Sequence, residues 1–339
     1  MRVAIVILNY NGIKYLRQFI PSVIKYSDFQ NTKVYIIDNG SEDNSIEFIN
    51  NTFSEIEVIQ LDKNYGFAGG YNKGLLQIKA DIFVLLNSDV EVTENWLEPL
   101  IAAFVKYSDI ACCMPKIRWY SKKEYFEYAG AAGGYVDKYG FPFCRGRIFG
   151  TVEKDNKQYD SETSVLWTTG ACMAVKADLF FKAGGFDSDF FAHMEEIDLC
   201  WRLKNMGYKN YCIPSSVVYH LGGGTLPYNN PFKIYLNYRN NLFLIYKNNK
   251  KYKALKILSV RVLYDILAVV RFIFLLQFKN SFSVFKAYWD FLKNFKLLEE
   301  KKAQFSKFII TTDHPEIIKK DLIFNYFIRW RKTFGKVVN

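Results

Sequence analysis

The stretch Asp81-Ile82-Phe83-Val84-Leu85-Leu86-Asn87-Ser88-Asp89 limits the choice of folds most sharply. Ile82 to Leu86 is apolar without interruption, which predicts a strand buried on both faces. Such strands belong to parallel sheets covered by helices. Asp89 then falls just past the carboxyl end of the strand, where open α/β sheets bind ligands. A carboxylate there, two residues after Asn87, suits a divalent cation and the phosphates it would carry. The plainer alternative is that Asp89 opens a turn.

The same pattern recurs upstream. Val3 to Leu8, Val34 to Ile37 and Glu57 to Leu61 read as strands, followed by Asn9-Tyr10-Asn11-Gly12, Asp38-Asn39-Gly40 and Asn64-Tyr65-Gly66-Phe67-Ala68-Gly69-Gly70. Helical spacing fills residues 13–27, Ser41 to Ser45 supply cap-type residues for a short helix, and a further helix and strand are expected near 94–106 and 110–114. This alternation predicts an α/β fold with a doubly wound, mostly parallel sheet. It gathers Asn9, Asp38, Asn64 and Asp89 on one sheet edge. A dinucleotide fold is excluded, because its glycine fingerprint should follow the first strand and Gly66, Gly69 and Gly70 come too late. Those glycines either let backbone approach a ligand or allow a tight turn.

Residues 116–165 break the alternation and read as hairpins and loops, a flap over the site. Order resumes at Trp167 to Met173. Gly170 there is either a turn or a place where chain passes beside a substrate. Three carboxylates then crowd together in Glu195-Glu196-Ile197-Asp198. With a helix starting near Glu195, Glu195 and Asp198 share a face and favour its positive end. Either they cap that helix, or one is a general base, a role worth about 10²–10⁴-fold in rate. His220, before Gly222-Gly223-Gly224-Thr225, suits a metal ligand or a diphosphate contact, and the glycines would let a loop close over a nucleotide.

Six cysteines occur without C-x-x-C or zinc spacing, so they read as small core residues. Met1-Arg2 leads directly into a strand, so no signal peptide is expected and the site should face a reducing cytoplasm.

The blocks VAIVILNYNG, VYIIDNGSEDNS, NYGFAGGYN, FVLLNSDV, TGACMAVKADLF, GGFDSDFFAHMEEIDLCWRL, YHLGGGT and YRNNLFL, in that order over about residues 3–245, resemble the inverting family-2 glycosyltransferases of the GT-A fold. The likeness is strongest to their rhamnosyltransferase-like branch. The resemblance implies a nucleotide-sugar donor bound by Asn9, Asp38, Asn64, Gly66, Gly69, Asn87, Ser88 and Asp89. It matches Asn87-Ser88-Asp89 to the D-x-D-type motif, with Asn at its first position, so that Asp89 alone offers a carboxylate to Mg²⁺ or Mn²⁺. His220 matches a second metal or diphosphate contact. Glu195-Glu196 matches the Glu-Asp pair whose second member is the base; Glu196 stands there, with Glu195 and Asp198 as rivals. A uridine or deoxythymidine diphosphate sugar and a lipid-linked or cell-surface glycan acceptor are implied by the family alone. A nucleotidyltransferase would show a charged phosphate loop after the first strand, and no nucleic-acid module appears. A non-catalytic glycan- or partner-binding relative remains the alternative.

Two parts are expected: a catalytic domain over 1–240 and a helical region over 241–339. The second holds 20 Lys and Arg against 7 Asp and Glu, a net +13 of the chain's +11. Leu255 to Phe278 is apolar but carries Arg261, Asp265 and Arg271 within one third of a helical circumference. It lacks the roughly 20 apolar residues a span needs. It reads as an amphipathic helix, packed on the catalytic domain or lying in a membrane interface. Its basic charge favours the inner face of the cell membrane.

Overall fold

The computed structural model describes residues 1–29, 31–222 and 230–338. The chain opens with β1 (Val3–Asn9), α1 (Ile13–Tyr26), β2 (Thr32–Asp38), α2 (Ser45–Thr52), β3 (Glu57–Gln60), α3 (Gly66–Leu75) and β4 (Ile82–Asn87). The short β5 (Val90–Val92) and α4 (Glu98–Lys106) follow. β3, β2, β1 and β4 lie side by side, all parallel. Ile5, Ile7, Ile36, Val84 and Leu86 are buried within these strands, which is why the runs are continuously apolar.

Beyond β4 the sheet turns mixed. The next elements are β6 (Ile110–Trp119), β7 (Lys122–Phe126), β8 (Gly134–Asp137), β9 (Pro142–Cys144), β10 (Arg147–Ile148), β11 (Thr151–Val152), β12 (Thr163–Val165) and β13 (Cys172–Lys176). After them come α5 (Ala177–Lys182), α6 (Glu195–Asn205) and β14 (Lys209–His220). β13 inserts antiparallel between β4 and β6, and β14 runs parallel to β6. Among the described residues the main sheet has ten strands, ordered β12-β14-β6-β13-β4-β1-β2-β3, with β5 and β7 attached to β14 and β6. The α/β expectation holds: the β1–β4 half is wholly parallel, and beyond the antiparallel β13 the β6–β14 pair is parallel again.

The C-terminal part comprises α7 (Pro231–Asn248), α8 (Lys251–Phe274), α9 (Phe278–Lys293), α10 (Phe295–Ser306), β15 (Ile317–Ile318) and α11 (Phe334–Val338). Residue 240 falls inside α7. The segment expected to be a flap is instead built in. β8 to β11 form a second sheet, ordered β11-β10-β9-β8-β15, whose last strand comes from the C-terminal part. Tyr135, Phe143 and Cys144 of this sheet are buried. All six cysteines are buried free thiols, as core residues should be.

The amphipathic helix exists as α8, with its faces reversed from ordinary practice. Arg261 and Asp265 are buried, whereas Leu263, Ile266 and Leu267 are exposed. Arg271, by contrast, is exposed. Among the described residues no helix is long and apolar enough to cross a membrane.

Candidate functional site

Parallel register does what the alternating sequence promised. Asn9 stands directly opposite Asp38, and Leu8 opposite Asn87, at the carboxyl ends of β1, β2 and β4. Asn9 Nδ2 donates to Asp38 Oδ1 at 2.9 Å and to Ser41 Oγ at 3.1 Å. The Ser41 amide donates to Asp38 Oδ2 at 2.9 Å. Asp38 is only 1% exposed, and its carboxylate fixes Asn9 and the turn after β2. Gly12 leaves room for Asn9 Oδ1, from which a Cβ would lie 2.4 Å away.

Asn64 acts one turn further on. Its Oδ1 accepts from the Gly66 amide at 2.8 Å and from Asn39 Nδ2 at 3.0 Å. Asn39 Oδ1 in turn accepts from the Tyr65 amide at 3.0 Å. Asn39 was not singled out from sequence, and it stitches the end of β2 to the start of α3. Gly66 has φ +70° and meets the Phe191 carbonyl oxygen 3.1 Å from an added Cβ. Only glycine takes that conformation and contact without strain. Gly69 is buried inside α3, where an added Cβ would meet Tyr65.

Asp89 and His220 are 131 residues apart in sequence. Antiparallel pairing of β5 with β14 puts His220 opposite Val90 and brings His220 Nε2 to 3.1 Å from Asp89 Oδ1. On the other side of the ring, Nδ1 lies 3.4 Å from Glu127 Oε2. Burial alone would push the imidazole down, but the two carboxylates outweigh it and hold His220 up at about 10. Burial likewise pushes Asp89 up, and the His220 hydrogen bond and charge leave it below the usual carboxylate range. Glu127 is the residue that sequence reading missed. Its only signal was an acidic side chain inside an aromatic stretch, Tyr125-Phe126-Glu127-Tyr128. Of the glycine loop expected here, Gly222 is described; Gly223, Gly224 and Thr225 lie outside the described residues.

The donor set at Asp89 suits a hard divalent cation. Among the described residues no three His, Cys, Asp or Glu side chains form a metal cluster. Two ligands at about 2.1 Å on adjacent octahedral positions stand about 3 Å apart. The 3.1 Å between His220 Nε2 and Asp89 Oδ1 matches that span. Glu127 on Nδ1 is the carboxylate that metal-bound histidines ordinarily carry on their far nitrogen. Such a site takes its remaining oxygens from substrate phosphates and water.

The acidic cluster divides into two kinds. Asp198 is fully buried, with Oδ2 2.8 Å from Arg202 Nε and 3.0 Å from Lys247 Nζ, and Oδ1 accepting from Asn248 at 2.9 Å. Both oxygens are thus engaged within the fold. Glu195 and Glu196 have no cation partner, and each keeps one buried carboxylate oxygen without a hydrogen bond among the described residues. Burial raises Glu196 to about 7. Burial and the neighbouring Glu196 raise Glu195 as well.

The loop leading into α6 is strained. Phe191, His193 and Met194 have φ of +62°, +70° and +73°, a region side chains avoid. Asn240, also missed from sequence, holds the loop: its Nδ2 lies 3.0, 2.9 and 2.7 Å from the carbonyl oxygens of Phe190, Ala192 and His193.

One short segment joins these parts. The Ala171 carbonyl accepts from the Asn87 amide at 3.0 Å. Thr169 Oγ1 donates to the Ala129 carbonyl, and the Ala129 amide donates to Glu127. A Cβ on Gly170 would lie 3.9 Å from Glu196 Cγ and 3.3 Å from Phe67. Gly170 is thus where chain passes between the Asp89 side and Glu196. Ser88 is half-buried between Asn87 and Asp89.

Residues 4–163 match the model of the family described as Glycosyl transferase family 2. The chain is 23% identical over 230 residues to an N-acetylglucosaminyl-diphospho-decaprenol L-rhamnosyltransferase of Mycobacterium tuberculosis, covering 64% of this chain and 75% of that protein. It is 24% identical over 235 residues to an uncharacterized protein of Sinorhizobium fredii, covering 64% of this chain and 24% of that one. Its fold is similar to that of GalNAc-T7, solved with UDP, GalNAc and Mn²⁺, at a TM-score of 0.59 and 19% identity over 73% of this chain and 48% of that one. The chain therefore spans a quarter to half of the length of two of these relatives.

Proposed function

The chain carries a glycosyl transferase family 2 domain on a GT-A fold, and from that premise we propose that it is an inverting glycosyltransferase. In this reading it moves a sugar from a UDP- or dTDP-sugar to a hydroxyl of a lipid-linked or cell-surface glycan. The observation that carries the reading is the pairing of a cation-ready Asp89–His220–Glu127 group with an uncompensated buried carboxylate, Glu196, across Gly170. A purely binding relative would have no use for a carboxylate raised to about 7 by burial.

The donor lies over Asn64–Gly66 and Asn87–Asp89, on a floor fixed by Asn9 and Asp38. Asp89, and His220 once the metal displaces its proton, would hold Mg²⁺ or Mn²⁺, which when bound would offset the charge of the diphosphate. The Glu196 carboxylate takes the proton of the acceptor hydroxyl, whose oxygen forms the new bond to the anomeric carbon. The old bond from that carbon to the diphosphate oxygen breaks, and its electron pair leaves with the nucleoside diphosphate. Attack from the opposite face inverts the configuration. Burial disfavours the charged form of Glu196 and keeps it basic near neutrality. We assign the catalytic part to residues 1–240 and a supporting role to 241–339. The lipid-linked acceptor named for the mycobacterial relative supports work at the inner face of the cell membrane.

The test is thermal stabilisation by UDP, dTDP and GDP, each with and without Mn²⁺, on wild type and Asp89→Ala. Metal-dependent stabilisation by one nucleotide, lost in the variant, is expected. No shift at millimolar nucleotide would sink the donor site.

A further inference from the structure

The C-terminal helices are built the wrong way round for a face that meets water. On α8, Arg261 Nη2 lies 3.3 Å from Asp265 Oδ1, and the guanidinium sits 3.7 Å over the Phe141 ring. Asp265 also accepts from the Tyr288 hydroxyl at 2.7 Å. The helix turns these charges inward, where each has partners. Outward it presents Leu263, Ile266, Leu267, Val270 and Phe274, spaced three or four apart, so they form one stripe. Phe274 is 83% exposed. The stripe runs through exposed Leu275 and Leu276 in the turn and continues as Phe278, Phe282, Phe285 and Trp289 on α9. A continuous apolar surface of this kind marks an interaction site.

The charges around it name the partner. The two acids on α8 and α9 are both engaged within the fold: Asp265 as described, and Asp290 with Lys286 at 2.9 Å and the Tyr235 hydroxyl at 2.5 Å. The remaining exposed charges, among them Lys256, Arg271, Lys279 and Lys293, are all positive. Two copies of the chain apposed through this face would bring like charges together. An anionic lipid surface would meet them with opposite charge. Neither helix is long and apolar enough to cross a bilayer, so the pair suits an interfacial position, with Trp289 at headgroup depth.

We infer that the outer face of the α8–α9 hairpin is a docking surface for an anionic lipid bilayer. The inference deepens, and for its biological sense rests on, the reading of a membrane-side acceptor. The surface is joined to the candidate base through α7. Ser283 on α9 donates to the Pro231 carbonyl at 2.8 Å, and Asn240 on the same α7 holds the loop before Glu195. A hairpin seated in the interface therefore orients the base-bearing loop relative to the bilayer.

Co-sedimentation of the full chain with vesicles tests this. Wild type should pellet with phosphatidylglycerol/phosphatidylcholine vesicles at low salt, less at high salt, and little with phosphatidylcholine alone. Leu267→Glu combined with Phe274→Glu should abolish binding. Lys279→Gln with Lys293→Gln, which leaves the apolar stripe intact, should weaken it about 30-fold. Nucleotide-induced thermal shifts should be unchanged in both. Wild-type protein that binds nucleotide but stays in the supernatant with anionic vesicles overturns the inference. So does a wild-type dimer, seen by light scattering, that the Glu variant dissociates, since the face would then seat a second copy. Vesicle binding without any nucleotide shift would uphold the surface and sink the donor reading instead.

Discussion

Helix α6 and the loop before it separate two groups of carboxylates that look alike in sequence and differ in company. Asp187 lies 2.5 Å from both Lys247 and Lys301, and Asp198 is held by Lys247 and Arg202. Those cations outweigh burial and keep both aspartates below the usual range. Glu195 and Glu196, a few residues away, are both pushed up by burial, Glu195 also by the neighbouring Glu196. The acids given a cation hold the fold; the acids denied one are left with reactivity. Two lysines of the C-terminal part, Lys247 and Lys301, serve the first group as internal counter-charge.

The largest expected effect comes from Glu196→Gln, which should lower turnover about 10²–10⁴-fold with the fold and nucleotide binding intact. An equal loss in well-folded Asp198→Asn would break the distinction. Asp198→Asn should instead destabilise by about 3–5 kcal/mol in chemical denaturation, because Arg202 and Lys247 lose a buried partner. Turnover per folded molecule should hold. Glu127→Gln should weaken Mn²⁺ binding about 10–100-fold in calorimetric titration with nucleotide present, extending the comparison to a carboxylate that acts through His220.

The smallest effect concerns pH. Glu196 must be deprotonated to act, so kcat/KM should fall as pH drops through about 7. Its raised value has the opposite sense for stability: the contribution is full below the ordinary glutamate range and is lost as pH rises through about 7. Glu196→Gln should then be more stable than wild type at pH 8 and no more stable at pH 4. A flat stability difference would mean that Glu196 already has a cation partner.

The strand ends were legible because continuous apolar runs and the polar residues closing them are local patterns. Asn9, Asp38, Asn87 and Asp89 fell where those patterns put them. The Asp89–His220 contact was not legible, since it depends on an antiparallel pairing across 131 residues. Glu127 and Asn240 were hidden for the same reason: each matters through a partner far along the chain. The periodicity of α8 gave a two-faced helix and was silent on which face turns inward. That choice was made by Asn241, Phe141 and Tyr288, which meet Arg261 and Asp265 only in three dimensions.

β15 pairs with β8 through Ile317↔Val136 and Ile318↔Asp137. The Phe334 amide also donates to Glu153 at 2.9 Å, and Thr151 shares a hydrogen bond with Tyr326 at 2.8 Å. Each contact closes a loop of more than 170 residues. During synthesis the ribosome makes β8 to β11 long before their last neighbour exists, so one edge of that sheet waits open. Loops this long close slowly, and an open edge meanwhile invites other chains. Closure of that sheet should therefore wait for the docking of residues 317–334 and be sensitive to chaperones.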